Sequence, residues 1–317
     1  MIEVRNLTKV YVDKPAVDDV SFFVKEGEIV SFLGPNGAGK TTTLRMITGF
    51  LPPTKGEVLV GGVNMLEDPL RAKRLIGYMP ENAALYPEMR VHEYLNFRGR
   101  LNNVAAADLQ GNIRAAMEEC FITDVEEAVI GTLSKGYRQR VALAGTLVHK
   151  PHILILDEPT IGMDPMQIVK IRELIRSLGK DRTVFLSTHI LPEAEAISDR
   201  VLVIDRGRIL AQDSPDNLRT VLRGRGTYEL VVKVEPAWTR EMFAGVPGLE
   251  EIAETARTER EVHLHIEGEK DHDLREALFT ACVKAGLVLL ELKERTLSME
   301  DIFLRLTTEE DHAKEAV

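Results

Sequence analysis

The stretch that most constrains this chain is Gly34-Pro35-Asn36-Gly37-Ala38-Gly39-Lys40-Thr41, a complete match to G-x-x-x-x-G-K-[ST]. Its glycines let the backbone wrap tightly, so that successive N–H groups converge on phosphate oxygens. The run before it, IVSFL, reads as a buried strand, and the run from about Lys40 reads as a helix. The positive N-terminal end of that helix faces the same point. Lys40 then brings a point charge to β- and γ-phosphates, and the Thr41 hydroxyl is a ligand for Mg²⁺. Gly37 and Gly39 also begin a GxG dinucleotide loop, but Thr42 stands where its third small residue belongs, so that reading fails.

A second run, ILILDEP, is continuously apolar and ends in two carboxylates, as a buried parallel strand does. Asp157 at its end is placed to hold the Mg²⁺ water shell. Glu158 points differently and is a candidate to orient or deprotonate an attacking water. In FLSTH, His189 sits just past another buried strand, within reach of a γ-phosphate or of Glu158.

Around these runs, strands and helices alternate, which predicts an α/β domain with a largely parallel sheet. MIEVRNLTKVYV, SFFVKEGEIVSFLG and GEVLVGG read as strands, Val91–Ala128 as helical, and RVLVIDRGRIL as a hairpin around Arg206-Gly207. In MQIVKIRELIRSLGK, residues Ile168, Ile171, Leu174, Ile175 and Leu178 share one helical face. The pattern breaks over Asp216–Arg225. Beyond it TYELVVKV, TREMFAGV, LEEIAETAR, EVHLHIEG, HDLREALFTACVKAG, LVLLELKE and SMEDIFLRLT read as strand, helix, two strands, helix, strand, helix. That order predicts a small α+β domain of ferredoxin-like type.

Composition narrows the partners. With 44% hydrophobic and 28% charged residues and a net charge of −10, bulk attraction to nucleic acid or anionic lipid is not expected. The two cysteines, Cys120 and Cys282, lie apart in apolar or helical context, as structural thiols do, and point to a reducing cytoplasm. The N-terminus lacks a signal-peptide core, and no apolar run is long enough to cross a bilayer. Work at a membrane therefore needs a partner to supply the membrane part.

Taken together, these residues resemble the ATPase subunit of an ABC transporter over roughly residues 2–215. Tyr11 stands where that family stacks an aromatic ring on adenine. Gly34–Thr41 is its Walker A loop, with Thr42 following, and GYMPEN lies at the Q-loop. LSKGYRQR lies at the signature loop and ILILDEP at Walker B. IGMD (161–164) resembles the D-loop, and STH supplies the switch residue His189. Two departures stand out. Glu81 replaces the usual Q-loop Gln, and a carboxylate there still suits Mg²⁺ or its water. In the signature, Ser134 and Gly136 are kept, while Lys135 replaces a Gly and Tyr137 replaces a Gln. Both departures, with PENAALYPEMRVHEYL and SMEDIFLRLT, are similar to the ABC-2 type exporter branch. That branch includes drug, antibiotic and polysaccharide exporters and gliding-motility subunits.

The resemblance implies a P-loop NTPase fold with a RecA-like core, an antiparallel β subdomain and a helical subdomain at about 85–150. The ATP-binding domain is expected over 1–220 and the C-terminal accessory domain over 221–317. It implies ATP and Mg²⁺ as ligands and a head-to-tail dimer with a second copy or a related ATPase subunit. Ser134, Gly136 and the following helix start would bind the γ-phosphate held by the other subunit, and Lys135 would add favourable charge. A separate transmembrane permease would be driven from the cytoplasmic face. Leu85, Tyr86 and Pro87 read either as a docking surface for it or as local packing. The C-terminal domain is open to regulation, dimer support or partner contact. Two other classes fit poorly. Ribosome-acting ABC ATPases usually carry two such units and DNA-acting ones a long coiled-coil insertion, and GTPases need an N-K-x-D motif that is missing here.

Overall fold

In the computed structural model, β7 (Ile153–Asp157) shows how the sheet is built; the residues described are 1–12, 14–221, 226–269 and 273–294. All five of its residues are buried, and the first four alternate between two apolar cores. Ile153 and Ile155 pack on one side with Val30, Phe32 and Phe185, while Leu154 and Leu156 pack on the other with Val184 and Leu186. A strand turned to apolar surroundings on both faces belongs in the middle of a covered parallel sheet.

The chain reaches that sheet in order. It begins with β1 (Ile2–Tyr11), β2 (Lys14–Val24) and β3 (Ile29–Leu33), then the glycine loop and α1 (Lys40–Ile47). Next come β4 (Lys55–Val60), β5 (Val63–Asn64), α2 (Pro69–Arg74) and β6 (Ile76–Met79). The helical region contains α3 (Val91–Leu101), α4 (Ala106–Glu119) and α5 (Lys135–Leu147). After β7 follow α6 (Pro165–Leu178), β8 (Thr183–Thr188), α7 (Leu191–Ile197), β9 (Arg200–Asp205), β10 (Arg208–Asp213) and α8 (Pro215–Val221).

The central sheet has the order β10-β9-β3-β8-β7-β6, parallel throughout except for the edge hairpin of β10 on β9. A second, antiparallel sheet runs β2-β1-β4-β5. One core joins this second sheet and α1 to the central sheet, and the other joins the helical region and α6 to its opposite face. Burying each large aliphatic side chain there contributes roughly 1.5–3 kcal/mol before entropy is counted. On α6 the buried face is Ile171, Leu174, Ile175 and Leu178, with Ile168 half-buried at its start. Its entry is set by Pro165 in the first turn and by Asp164, whose side chain accepts from the Gln167 amide.

The chain divides into two units, Met1–Pro215 and Asp216–Val317. The second contains β11 (Gly226–Lys233), β12 (Leu249–Arg257), β13 (Glu261–Gly268), α9 (Arg275–Lys284) and β14 (Leu289–Glu294). Its sheet runs β12-β13-β11-β14, all antiparallel, the interleaved order that a split βαββαβ chain makes. Leu230 pairs with Leu264 and Tyr228 with Ile266, and this face packs on Leu278 and Cys282 of α9. The helix expected over TREMFAGV is instead a 3₁₀ turn, Arg240–Phe243. Gly245 and Pro247 close it, leaving too few residues to propagate an α-helix. The helix expected over SMEDIFLRLT lies outside the described residues.

Cys120 and Cys282 are free thiols, 0% and 1% exposed, and burial raises the pKa of each. No helix among the described residues is long and apolar enough to cross a membrane.

Candidate functional site

The loop between β3 and α1 is held by contacts that only glycine permits. Gly39 has φ +104°, and a Cβ there would stand 2.5 Å from the Ala16 carbonyl. At Gly34 a Cβ would collide with the carbonyl of Ile204. The Gly34 amide donates to the Thr188 carbonyl at the end of β8, which ties the loop to the neighbouring strand.

Helix α1 and the ends of strands β7 and β8 bring their side chains to this loop. Lys40 is buried, and its Nζ donates to the carbonyls of Gly34 at 2.7 Å and Pro35 at 3.1 Å. The same nitrogen lies 3.3 Å from Glu158 Oε1. At the end of β7, Asp157 Oδ1 accepts from Ser187 Oγ at 2.6 Å and from Thr41 Oγ1 at 3.2 Å. Register explains the first contact, because Asp157 stands opposite Ser187 on β8. The other carboxylate oxygen, Oδ2, is buried without a hydrogen-bond partner. Burial raises the Asp157 pKa and the Glu158 charge adds to this, against the lowering from Ser187, Thr41 and Lys40. A carboxylate whose ionisation is disfavoured, with one orphan oxygen beside a threonine hydroxyl, suits a hard divalent cation.

Glu158 adopts φ +48°, and its amide donates to Ser187 Oγ and to the Ser187 carbonyl. This turn swings its side chain away from that of Asp157. Its Oε2 lies 2.8 Å from His189 Nδ1, so His189 holds Glu158, one of the two contacts expected of it. The cavity beside the loop has a volume of about 340 Å³. Asn36, Gly37, Gly39, Lys40, Thr41, Thr42, Glu81 and Glu158 line it, together with Ala16 and Ile161. Gly34, Pro35 and Ala38 complete the loop, while Asp157 and His189 join through the hydrogen bonds just described.

Tyr11, Ser134 and Gly136 do not line this cavity. Tyr11 is 47% exposed at the end of β1, with Lys9 Nζ 5.6 Å from its ring centre. Ser134 caps α5, its Oγ accepting from the Tyr137 amide at 3.4 Å. Gly136 is buried against the Gln167 side chain, and Lys135 Nζ lies against Gly162. Gln139 Nε2 donates to the Pro159 carbonyl at 2.9 Å. Tyr137 turns into the helical region, where its hydroxyl donates to Asp124 Oδ2 at 2.6 Å and Arg140 covers its ring at 4.2 Å.

Sequence reasoning passed over Ser187, whose hydroxyl serves both Asp157 and the Glu158 amide. Its signal was available: it follows the apolar run Val184-Phe185-Leu186 and stands directly before Thr188-His189. It also passed over Ala16, a small residue on the opposite sheet that sets how close the loop can come.

A phosphate loop running into a helix, a buried Asp-Glu strand end and a histidine on the next strand define a P-loop nucleoside triphosphatase. A family model described as ABC transporter matches residues 17–161. The linearmycin resistance ATP-binding protein LnrL of Bacillus subtilis (strain 168) is 31% identical over 97% of this chain and 98% of its own length. The Nod factor export ATP-binding protein I of Ralstonia nicotianae (strain ATCC BAA-1114 / GMI1000) is 33% identical over 98% of this chain and 94% of its own. Among solved structures, a dimeric ATP-binding cassette in a post-hydrolysis state with ADP and Pi is similar at TM-score 0.62 and 25% identity, covering 68% of this chain and 98% of that one. This chain belongs to the ABC transporter ATP-binding proteins, the subunits that bind and hydrolyse ATP.

Proposed function

We propose that two copies of this chain, or one copy and a related subunit, close head to tail on Mg²⁺-ATP and drive a separate transmembrane permease that exports its substrate. The observation that carries this reading is the cluster of Lys40, Thr41, Asp157, Glu158 and His189 at one cavity, with a buried orphan oxygen on Asp157. Thr41, Asp157 and Glu81 would hold Mg²⁺, which when bound neutralises charge on the phosphates. Tyr11 stacks on adenine. The loop amides and Lys40 take the phosphates, and Ser134 and Gly136 of the second subunit reach the γ-phosphate from the other side.

Lys40 has a second part in this scheme. Its present contacts with Gly34, Pro35 and Glu158 are the ones it exchanges for phosphate oxygens. The exchange leaves Glu158 Oε1 free to accept a proton from the attacking water, while His189 keeps Oε2 in place. Names of relatives that include resistance and export support the direction of transport. Exposed Tyr86, packed edge-on against Phe97 at 5.6 Å, offers the permease an apolar contact, whereas Leu85 packs onto the core. In this scheme the protein works at the cytoplasmic face of the membrane.

The test is Glu158→Gln, which keeps shape and removes the base. With saturating ATP it should elute as a stable dimer in size-exclusion chromatography, with turnover lowered about 10²–10⁴-fold. A variant that stays monomeric under ATP overturns the shared site.

A further inference from the structure

The geometry points to Glu193 as a positioning residue for ATP hydrolysis, a buried carboxylate that locks the loop carrying Glu158 to the loop carrying His189. This inference rests on the roles proposed above for those two residues. Glu193 lies on α7 and is 1% exposed. Its Oε2 accepts from two hydroxyls, Thr160 Oγ1 at 2.6 Å and Thr188 Oγ1 at 3.2 Å. Thr160 is two residues past Glu158, and Thr188 directly precedes His189. One oxygen atom thus bridges the two segments whose side chains meet in the 2.8 Å His189–Glu158 contact.

The bridge extends further on both sides. Thr188 Oγ1 accepts from the Ile190 amide at 3.0 Å, which shapes the turn out of β8 around His189. The Thr188 carbonyl accepts from Gly34 at the start of the phosphate loop. On the other side, Glu193 Oε1 faces Arg172 Nη2 of α6 at 3.8 Å, without a hydrogen bond to it. Arg172 is placed to balance the charge, while the hydrogen bonds that give direction all run to the two threonines.

Burying a carboxylate is costly, and a plain structural role predicts lost stability when it is removed. A positioning role predicts more: ATP would still bind, but the base and its histidine would no longer be held together. Misplacement of a reacting group by about 1 Å costs on the order of 10²-fold in rate.

The experiment measures kcat and KM for ATP with the purified full chain and Mg²⁺, alongside thermal unfolding. Glu193→Ala should lower kcat about ten- to hundredfold with KM nearly unchanged. Glu193→Gln keeps an oxygen that both hydroxyls can reach and should retain most of the wild-type kcat. Because Glu193→Ala also removes the partner of Arg172, Thr160→Val and Thr188→Val serve as milder variants, each deleting one donor and each lowering kcat. In a His189→Ala background the further effect of Glu193→Ala should largely vanish. Folded variants with wild-type kcat, or an undiminished effect without His189, would overturn the proposal. Glu158→Gln is the control: if it hydrolyses ATP normally, the roles given to Glu158 and His189 fail, independently of Glu193.

Discussion

The phosphate loop and the start of α5 are built in opposite ways. Around the loop, polar side chains from α1, β7 and the end of β8 turn inward and bond to one another: Lys40 to Glu158, Thr41 to Asp157, Glu158 to His189. At the start of α5, Ser134 and Lys135 are exposed, and the next residues are committed to neighbours within the chain. Gln139 reaches Pro159, Tyr137 reaches Asp124, and Arg138 donates to the Leu133 carbonyl at 2.6 Å. The first region is an assembled half of a site. The second leaves the Ser134 and Lys135 side chains exposed on a turn whose following residues are already paired within the chain. In the function proposed above, this difference is what a second subunit would make good.

The strongest way to break the first half is Lys40→Ala. It deletes the charge aimed at the phosphates and strands Glu158 without its cation, so ATP affinity should fall about ten- to hundredfold in equilibrium titration. A smaller effect tests the second half. Neither Lys40→Ala nor Ser134→Arg subunits should turn over alone, but mixed together they should regain activity from one intact site per pair at most. Recovery of the full wild-type rate in the mixture would show that the two halves do not meet across subunits.

Asp157→Asn probes the strain held in the first half. The folded protein binds the Asp157 proton more tightly than the unfolded chain, whose carboxyl sits near 3.8. Stability without nucleotide is therefore full below that value and falls as pH rises through the elevated one. Asp157→Asn removes this loss, so at neutral pH its Tm should exceed wild type by about 2–4 °C for each ~1 kcal/mol relieved. Adding Mg²⁺-ATP should reverse the order, because only the wild type gains a cation ligand. Tyr137→Phe is the mildest change: it loses one exposed hydrogen bond and keeps the Arg140 contact. It should lower stability by about 0.5–1.5 kcal/mol or less in denaturant titration.

What could be read from the sequence follows from how local each feature is. The phosphate loop, the Asp-Glu strand end and the amphipathic α6 depend on residues adjacent along the chain, so their geometry is written in short patterns. β6 is four residues long, contains Gly77 and borders the sheet, so it carries little periodicity of its own. Ser187 and Glu193 act through strand order and tertiary packing, which no spacing along the chain reveals. Tyr137 shows the same limit. In the sequence it stands only as a departure from the usual Gln of the signature, while its hydroxyl is bonded to Asp124 on another segment.

The burial of Cys120 and Cys282 has a practical consequence for testing the proposed dimer. With both native thiols sealed in cores, a cysteine introduced at exposed Asn36 or Ser134 would be the accessible target for alkylation or oxidation. A cross-link between position 36 of one copy and position 134 of another could then be scored on a gel without first removing any natural residue. The chain as it stands is a clean chemical background for watching two subunits come together.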